Sequence, residues 1–467
     1  MKLASLEAIS PIDGRYRKHV VSIARWCSEA GLIESRVDVE FKWLVFLIGE
    51  LELGQSTDVA TNIEKIAAET LKSLREQGAN EVQLIEQQTN HDVKAVEYFV
   101  CQQLDANGLS SLRPYVHFGC TSEDINNLAY ASMLANVRKH ELVPAMCEII
   151  ECILSLADSN VDTPMLSRTH GQTASPTTLG KELVNVAARL THWLERFSAV
   201  EITAKMNGAV GNFNAHSVAV PGIDWLDAAR RFVYSLDFKV NPYTTQIEPH
   251  DWIAEYLHAI VGFNQVLLDF DRDIWAYISI GYFKQKQVAG EVGSSTMPHK
   301  VNPIDFENAE GNIGVGNVIA KHLAEKLLVS RWQRDLTDST ALRNVGTVFA
   351  HTVIAIRSTM RGIQKLEVDG ERLSTDLNQA WEVLAEAVQT VMRRAGVADA
   401  YEQVKEATRG RRLDRSVYHE MLDSLTLADE SRETLKQITP DTYIGLAPKL
   451  ARAGIADIHD RLAAVKP

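Results

Sequence analysis

Cysteine is scarce: Cys27, Cys101, Cys120, Cys147 and Cys152 are five in number and include no CxxC pair. An odd, scattered set excludes a disulfide framework and a thiolate zinc site of ordinary spacing, and points to reduced thiols in a cytoplasmic protein. Long hydrophobic runs are lacking too. No apolar stretch approaches the ~20 residues that span a bilayer, and the N-terminal MKLASLEAISP has no signal-peptide core, so a soluble chain is expected. Excess positive charge is missing: 48 Lys and Arg stand against 61 Asp and Glu, a net charge of -13. Binding a phosphate backbone needs clustered excess cations, so nucleic acid is not an expected partner. A glycine-rich dinucleotide fingerprint and any group with metal-ligand spacing are also absent, so no cofactor and no metal are expected. With 13 Pro and 26 Gly among 467 residues, of which 45% are hydrophobic, the composition is that of an ordered globular protein. No fixed-period repeat or strand-rich region is visible, so the fold class expected is mainly α.

What is present divides into three parts. Residues 1–113 read as an N-terminal domain of short helices, 114–366 as a central bundle of long helices, and 367–467 as a smaller C-terminal helical domain. Thr121-Ser122-Glu123-Asp124 has the pattern of a capping box opening a helix that runs to about Leu156. Leu166 to Thr173 reads as polar and irregular, with Ser175-Pro176 starting the next helix, whose Leu179, Leu183, Val186, Leu190, Trp193 and Phe197 form an amphipathic stripe. A polar loop, Thr244 to Asp251, leads into a helix carrying Ile253, Leu257, Ile260, Asn264, Leu267, Ile274 and Ile278, expected to exceed thirty residues and about 50 Å. Two further helices are expected from Pro303 to about Leu328 and from Asp338 to about Leu366. Arg409-Gly410-Arg411-Arg412 reads as a solvated turn.

The chemistry is concentrated in Gly290 to Asp305, GEVGSSTMPHKVNPID. Gly290 and Gly293 permit conformations closed to other residues, which leaves Ser294 and Ser295 on a loop able to move. Asn302 reads as an N-cap and Pro303 as the first helical residue, so a helix N-terminus and Lys300 together make an anion site. A Gly/Ser-rich connection taken alone is more often an ordinary interdomain loop. Other segments are also double-valued. Arg15 and Arg17 flank Tyr16 after the turn Ser10 to Gly14, a pattern suited to clamping a phosphate or to a plain surface cluster. In Thr89-Asn90-His91-Asp92, Thr89 or Asn90 is expected to cap a helix with His91 in its first turn, where a structural histidine is the commoner case. His170, flanked by Thr169 and Gly171, reads as a loop residue. Arg331, Arg334 and Arg343, with Ser339 and Thr340 among them, form a second candidate phosphate site or a set of interhelix ion pairs.

The order of residues in GSSxMPxKxNP (Gly293, Ser294, Ser295, Met297, Pro298, Lys300, Asn302, Pro303) resembles the signature loop of the aspartase/fumarase superfamily, with every position filled. SPIDGRYR, TNHDVKAVE, FGCTSEDINN, LSRTHGQTASP, TTQIEPHD, ENAEGN and SRWQRDLTDSTALR resemble the adenylosuccinate lyase family within it, in that family's order and over most of the chain. The resemblance implies an aspartase/fumarase-like bundle and β-elimination of fumarate from a succinylated purine nucleotide or its carboxamide precursor. It implies His170 as general acid and Ser294 as general base, with Lys300, Asn302, Thr121 and Ser122 on the succinyl carboxylates. Arg15, Tyr16, Arg334, Ser339 and Arg343 would hold the nucleotide and its phosphate, with Ser295, Thr340, Ala341 and Leu342 beside them. Asn90, His91, Asp92, Gln246 and Asn308 would line the site. It further implies a homotetramer whose active sites are shared between subunits. His299 stands where other superfamily members often have Gly or Tyr and is assigned no role. A sister lyase acting on malate, aspartate or argininosuccinate would share the loop but need no phosphate clamp. A non-catalytic helical scaffold would need neither His170 nor Ser294.

Overall fold

The computed structural model describes residues 5–53, 56–286, 297, 300–410 and 413–466. Ser294 and Ser295, with Gly290, Gly293, Pro298 and His299, lie outside the described residues, as do Arg411 and Arg412.

The expected helix from Ser122 toward Leu156 forms, with one irregularity. It runs as an α-helix over Ser122–Val137, a π-helical turn over Arg138–Leu142, and an α-helix again over Val143–Asp158. Pro144 has no N–H to return to the preceding turn, and the Val143 N–H reaches back to the Arg138 carbonyl. The polar stretch around His170 is not irregular. Pro164–Thr169 and Gln172–Thr178 form an antiparallel hairpin, with Leu166 opposite Pro176 and Thr169 opposite Gln172. His170 and Gly171 are its two-residue turn, at φ 53° and 75°, the paired left-handed geometry that matches strand twist. The next helix therefore begins at Leu179, capped by Thr178, whose hydroxyl accepts from the Lys181 N–H at 3.3 Å.

The helix Asp251–Ser279 has 29 residues, about 43 Å of rise, and so is slightly shorter than expected. Ile304–Leu327 follows, with Pro303 rather than Asn302 at its boundary. The last expected bundle helix is broken in two, Thr337–Leu342 and Val345–Gln364. The 304–327 helix packs against both 251–279 and 345–364, while 179–198 packs against 143–158 and 251–279. Both neighbours of 304–327 run antiparallel to it: Arg361 and Lys365 near the end of one pair with Asp305 (3.3 and 2.9 Å), and Arg272 near the end of the other pairs with Glu310 (2.6 Å). Midway, the buried Asn264 amide donates to Asn317 and Thr352, each at 3.0 Å. An unmatched amide there would cost about 1–3 kcal/mol, so the link fixes the register of three helices.

Three hydrophobic cores result. The largest fills the bundle. A second forms between Glu29–Glu50 and the helices through Ala106, around Phe41, Leu44, Val96 and Leu104. A third gathers Leu377, Trp381, Tyr418 and Leu422. The terminal helix Ala447–Val465 leaves this third core and returns to the bundle, where Ile458 and Leu462 are buried and Arg461 grips Glu195 at 2.7 and 2.8 Å.

Candidate active site

Thr121 is the N-cap of the 122–158 rod, in extended conformation (φ -103°, ψ 161°), with Ser122 the first helical residue and both side chains half-buried. The Asp124 carboxylate turns back and accepts from the Thr121 N–H at 2.8 Å, which holds the turn in place. The helix N-terminus carries two half-buried hydroxyls, an arrangement suited to a carboxylate.

Around it the structure assembles three of the candidate anion residues, Arg334, Ser339 and Arg343, with Gln246 and Asp92, into one hydrogen-bonded network. Arg334 lies 2.9 Å from buried Glu123, donates to Gln246 (3.3 Å) and to the Ser339 hydroxyl (2.9 Å), and lies 3.8 Å from Asp338. Glu123 accepts from Asn126 at 2.7 Å, and Asn126 accepts from Arg36 at 2.8 Å. Arg36, only 2% exposed, continues to Asp92 at 2.8 Å, and Asp92 also pairs with Arg343 at 3.1 Å. Arg343 in turn lies 3.5 Å from Glu29 and donates to the Ser339 carbonyl. The charges answer to these surroundings. Burial pushes the Glu123 pKa up against the pull of Arg334. Burial works the same way on Asp92 and Asp338, but the groups facing them, Arg36 for the first and the His250 ring and Arg334 for the second, leave both below the usual carboxylate value. Arg36 Nη1 and Arg334 Nε are buried without a hydrogen-bond partner among the described residues.

His91 is not in the first turn of its helix but is the cap: its Nδ1 accepts from the Lys94 N–H at 3.1 Å, and Asn90 sits just before it in left-handed conformation. Thr340 is exposed and Ala341 half-buried, whereas the Leu342 side chain is buried in the bundle core and presents no surface to a ligand.

The remaining residues occupy the opposite end of the bundle. Tyr16 accepts from the Asn308 amide at 2.9 Å, beside exposed Arg15. Asn308 also accepts from Ser358 at 2.8 Å. Lys300 is exposed and Asn302 half-buried, immediately before the 304–327 helix. Gln285 donates to the Val301 carbonyl at 2.8 Å and so ties together the two flanks of the signature stretch. His170 is exposed at its hairpin tip, and Arg168 on the same hairpin reaches Tyr282 (3.4 Å) and Asp376 (3.1 Å). Within one chain, then, the Thr121 network meets the start of the 251–279 helix, where His250 lies 3.5 Å from Asp338, and the described flanks of the signature stretch, Gln285 and Val301, lie toward its end. About 43 Å of helix separates them.

Arg36, Glu123, Asn126, Asp124 and Lys205 are absent from the sequence-derived set. Arg36 carried a signal: a cation between Ile33 and Val37, on the apolar face of its helix.

Comparison with known proteins accords with this layout. Residues 33–320 match the lyase family and residues 330–444 the adenylosuccinate lyase C-terminal family. The chain is 49% identical over 448 residues to an adenylosuccinate lyase of Escherichia coli (strain K12), covering 96% of this chain and 98% of that one. Counterparts from Vibrio cholerae serotype O1 and Haemophilus influenzae are each 48% identical, covering 96% of this chain and 99% of theirs. Among solved structures, a 3-carboxy-cis,cis-muconate lactonizing enzyme from Pseudomonas putida superimposes with a TM-score of 0.75 at 19% identity, over 94% of this chain and 97% of that one. A fumarate lyase from Mesorhizobium sp. BNC1 gives 0.72 at 20%, over 93% and 97%, and these two likenesses speak for the fold alone. A bundle of this form whose sequence runs in step with those lyases from end to end has one placement: the chain belongs to the adenylosuccinate lyase family.

Proposed function

We propose that the chain eliminates fumarate from adenylosuccinate, leaving AMP, and from the succinyl-carboxamide ribotide of purine synthesis, leaving the carboxamide ribotide. The observation that carries this reading is the Arg334–Glu123–Asn126–Arg36–Asp92–Arg343 network beside the Thr121 helix N-terminus, which gathers phosphate-binding and carboxylate-binding chemistry in one place. A lyase acting on a substrate without phosphate has no use for two arginines there.

The reaction needs a base for a weakly acidic C–H next to a carboxylate, stabilisation of the resulting aci-carboxylate, and an acid for the departing nitrogen. Ser294 takes the proton, Lys300 and the start of the 304–327 helix hold the developing negative charge, and His170 protonates the nitrogen as the C–N bond breaks. Ser295 and Asn302 bind alongside, and Thr121 and Ser122 hold a succinyl carboxylate. Arg15, Tyr16, Arg334, Ser339 and Arg343 hold the nucleotide. The elimination requires only acid–base and electrostatic groups, so no cofactor enters.

This division of labour calls for more than one chain, because among the described residues Thr121, Arg334 and Arg343 lie toward one end of the bundle and His170, Lys300 and Asn302 toward the other. The reading is of a homotetramer in the cytoplasm, as the family resemblance implies, with His170 and Ser294 of each site on different subunits. The exposed face of the 304–327 helix supports it: Ile304, Val315 and Val318 are 60, 51 and 69% exposed, with exposed Gly311 and Gly314 allowing close approach of another helix. Mixing His170→Ala with Ser294→Ala after mild dissociation tests both roles, with activity followed through the purine ultraviolet spectrum. Regain of about a quarter of the sites is expected for random tetramers. Background activity in proven hybrids would place both residues in a site from one chain.

A further inference from the structure

We propose that Lys205 is a positioning residue for the carboxylate-holding turn at Thr121–Ser122. This rests on the reading of that turn given above. Lys205 and Asp124 are both 0% exposed, and Lys205 Nζ donates to Asp124 Oδ1 at 2.8 Å and to the Gly208 carbonyl at 3.1 Å. Apolar residues of similar volume would stabilise a core at least as well as a buried ion pair, so its use lies in what it orients.

What it orients is legible from its partners. The Asp124 carboxylate accepts from the Thr121 N–H (2.8 Å), the Asn207 N–H (2.9 Å) and the Gly208 N–H (3.1 Å) as well as from Lys205. Asn127 stitches the same two segments: it accepts from the Lys205 N–H at 2.8 Å and donates to the Lys205 carbonyl at 3.1 Å. Asn207 then donates to the Thr244 hydroxyl at 2.8 Å, two residues before Gln246. One carboxylate thus ties together the turn that binds a substrate carboxylate and the loop that carries Gln246.

Charge gives Lys205 a second task. An aspartate in the first turn of a helix whose N-terminus receives an anionic substrate would repel that substrate. The ammonium of Lys205 cancels this charge from the buried side, which leaves the helix N-terminus and the Thr121 and Ser122 hydroxyls able to receive an anion.

Four variants decide the matter: Lys205→Met, Asp124→Asn, the double variant Lys205→Met/Asp124→Asn, and Thr121→Ala as a control on the turn itself. Fumarate and AMP affinities, KM, kcat and Tm are measured on each. Lys205→Met is expected to weaken fumarate binding and raise KM by tenfold or more, with AMP affinity within twofold. The double variant removes the buried unpaired charge and is expected to recover Tm while fumarate binding stays at least severalfold weak; it also carries the test if Lys205→Met fails to fold. Recovery of both Tm and fumarate affinity in the double variant would overturn the proposal, as would parallel loss of fumarate and AMP binding in every foldable variant. If Thr121→Ala leaves fumarate binding unchanged, the reading of the turn fails. If Thr121→Ala weakens it and the double variant does not, Lys205 alone loses its role.

Discussion

Arg334 Nη2 lies 2.9 Å from Glu123 Oε1, so the cation proposed to hold a substrate phosphate is already paired with a carboxylate in the first turn of the neighbouring helix. An arriving phosphate competes with that carboxylate. Glu123→Gln keeps the side-chain shape and removes the competing charge, so AMP should bind more tightly. A charge-assisted contact of this largely buried kind is worth about 1.5 to 3 kcal/mol, roughly tenfold to a hundredfold in affinity. Calorimetric titration of AMP reads this directly; weaker binding would mean that Glu123 serves chiefly to aim Arg334.

Arg343→Ala and Arg15→Ala should weaken AMP far more than fumarate. A charge-assisted contact to phosphate contributes about 1.5 to 3 kcal/mol, roughly tenfold to a hundredfold in affinity. Unchanged AMP affinity in both variants would return these arginines to ion pairing with Asp92 and Glu29 and to the surface.

With Ser294 as the proposed base, Ser294→Ala deletes only the group that takes the proton, so substrate binding should persist while kcat collapses. Single-turnover measurement separates the two. A kcat near normal would move the base to Ser295 or a histidine.

His117, four residues before Thr121, lies 2.6 Å from the fully buried Glu40 carboxylate. Burial alone would lower its pKa, but the hydrogen bond and charge of Glu40 raise it above the usual 6.5. A raised folded pKa contributes stability that is complete below about pH 6.5 and lost as pH rises through the folded value. His117→Gln also leaves Glu40 unpaired, at a cost of about 3 to 5 kcal/mol. Urea midpoints from pH 6 to 9 should show the gap between parent and variant narrowing as pH rises. A constant gap would mean that His117 is neutral throughout.

Gly119→Ala should destabilise the protein by about 1 to 3 kcal/mol, since a Cβ there would stand 2.3 Å from His216 Nε2, at φ +74°. Thermal unfolding measures the loss. An unchanged Tm would show that the His216 ring can yield.

Local pattern was legible wherever one face of a helix decides its fate. Of the stripe, Leu179, Leu183, Leu190 and Phe197 are buried and Val186 and Trp193 half-buried against the same core, and Asp124 closes back on Thr121 as the box motif requires. The hairpin around His170 escaped because its strands are short, one face is exposed, and its turn uses His-Gly where Asn-Gly is the strong signal. His91 escaped as a cap because imidazole rarely fills that position. Arg36, Glu123 and Lys205 escaped for a different reason. Arg36 meets Asn126 90 positions away and Lys205 meets Asp124 81 positions away, and no local window holds such a pair.

The π-helical turn at Arg138–Leu142 gives the long rod a spare residue. Upstream, the 122–137 segment is buried on nearly every side; downstream, 143–158 shows a distinct apolar face through Met146, Ile149, Ile150 and Ile153. A wider turn absorbs one residue without rotating either flank, so the two halves keep their own partners although their sequence periods are out of step by about 100°. Shortening the chain by one residue at exposed Lys139 would let the wide turn tighten into an ordinary one. Such a deletion, ruinous elsewhere in a buried helix, has here a place built to absorb it.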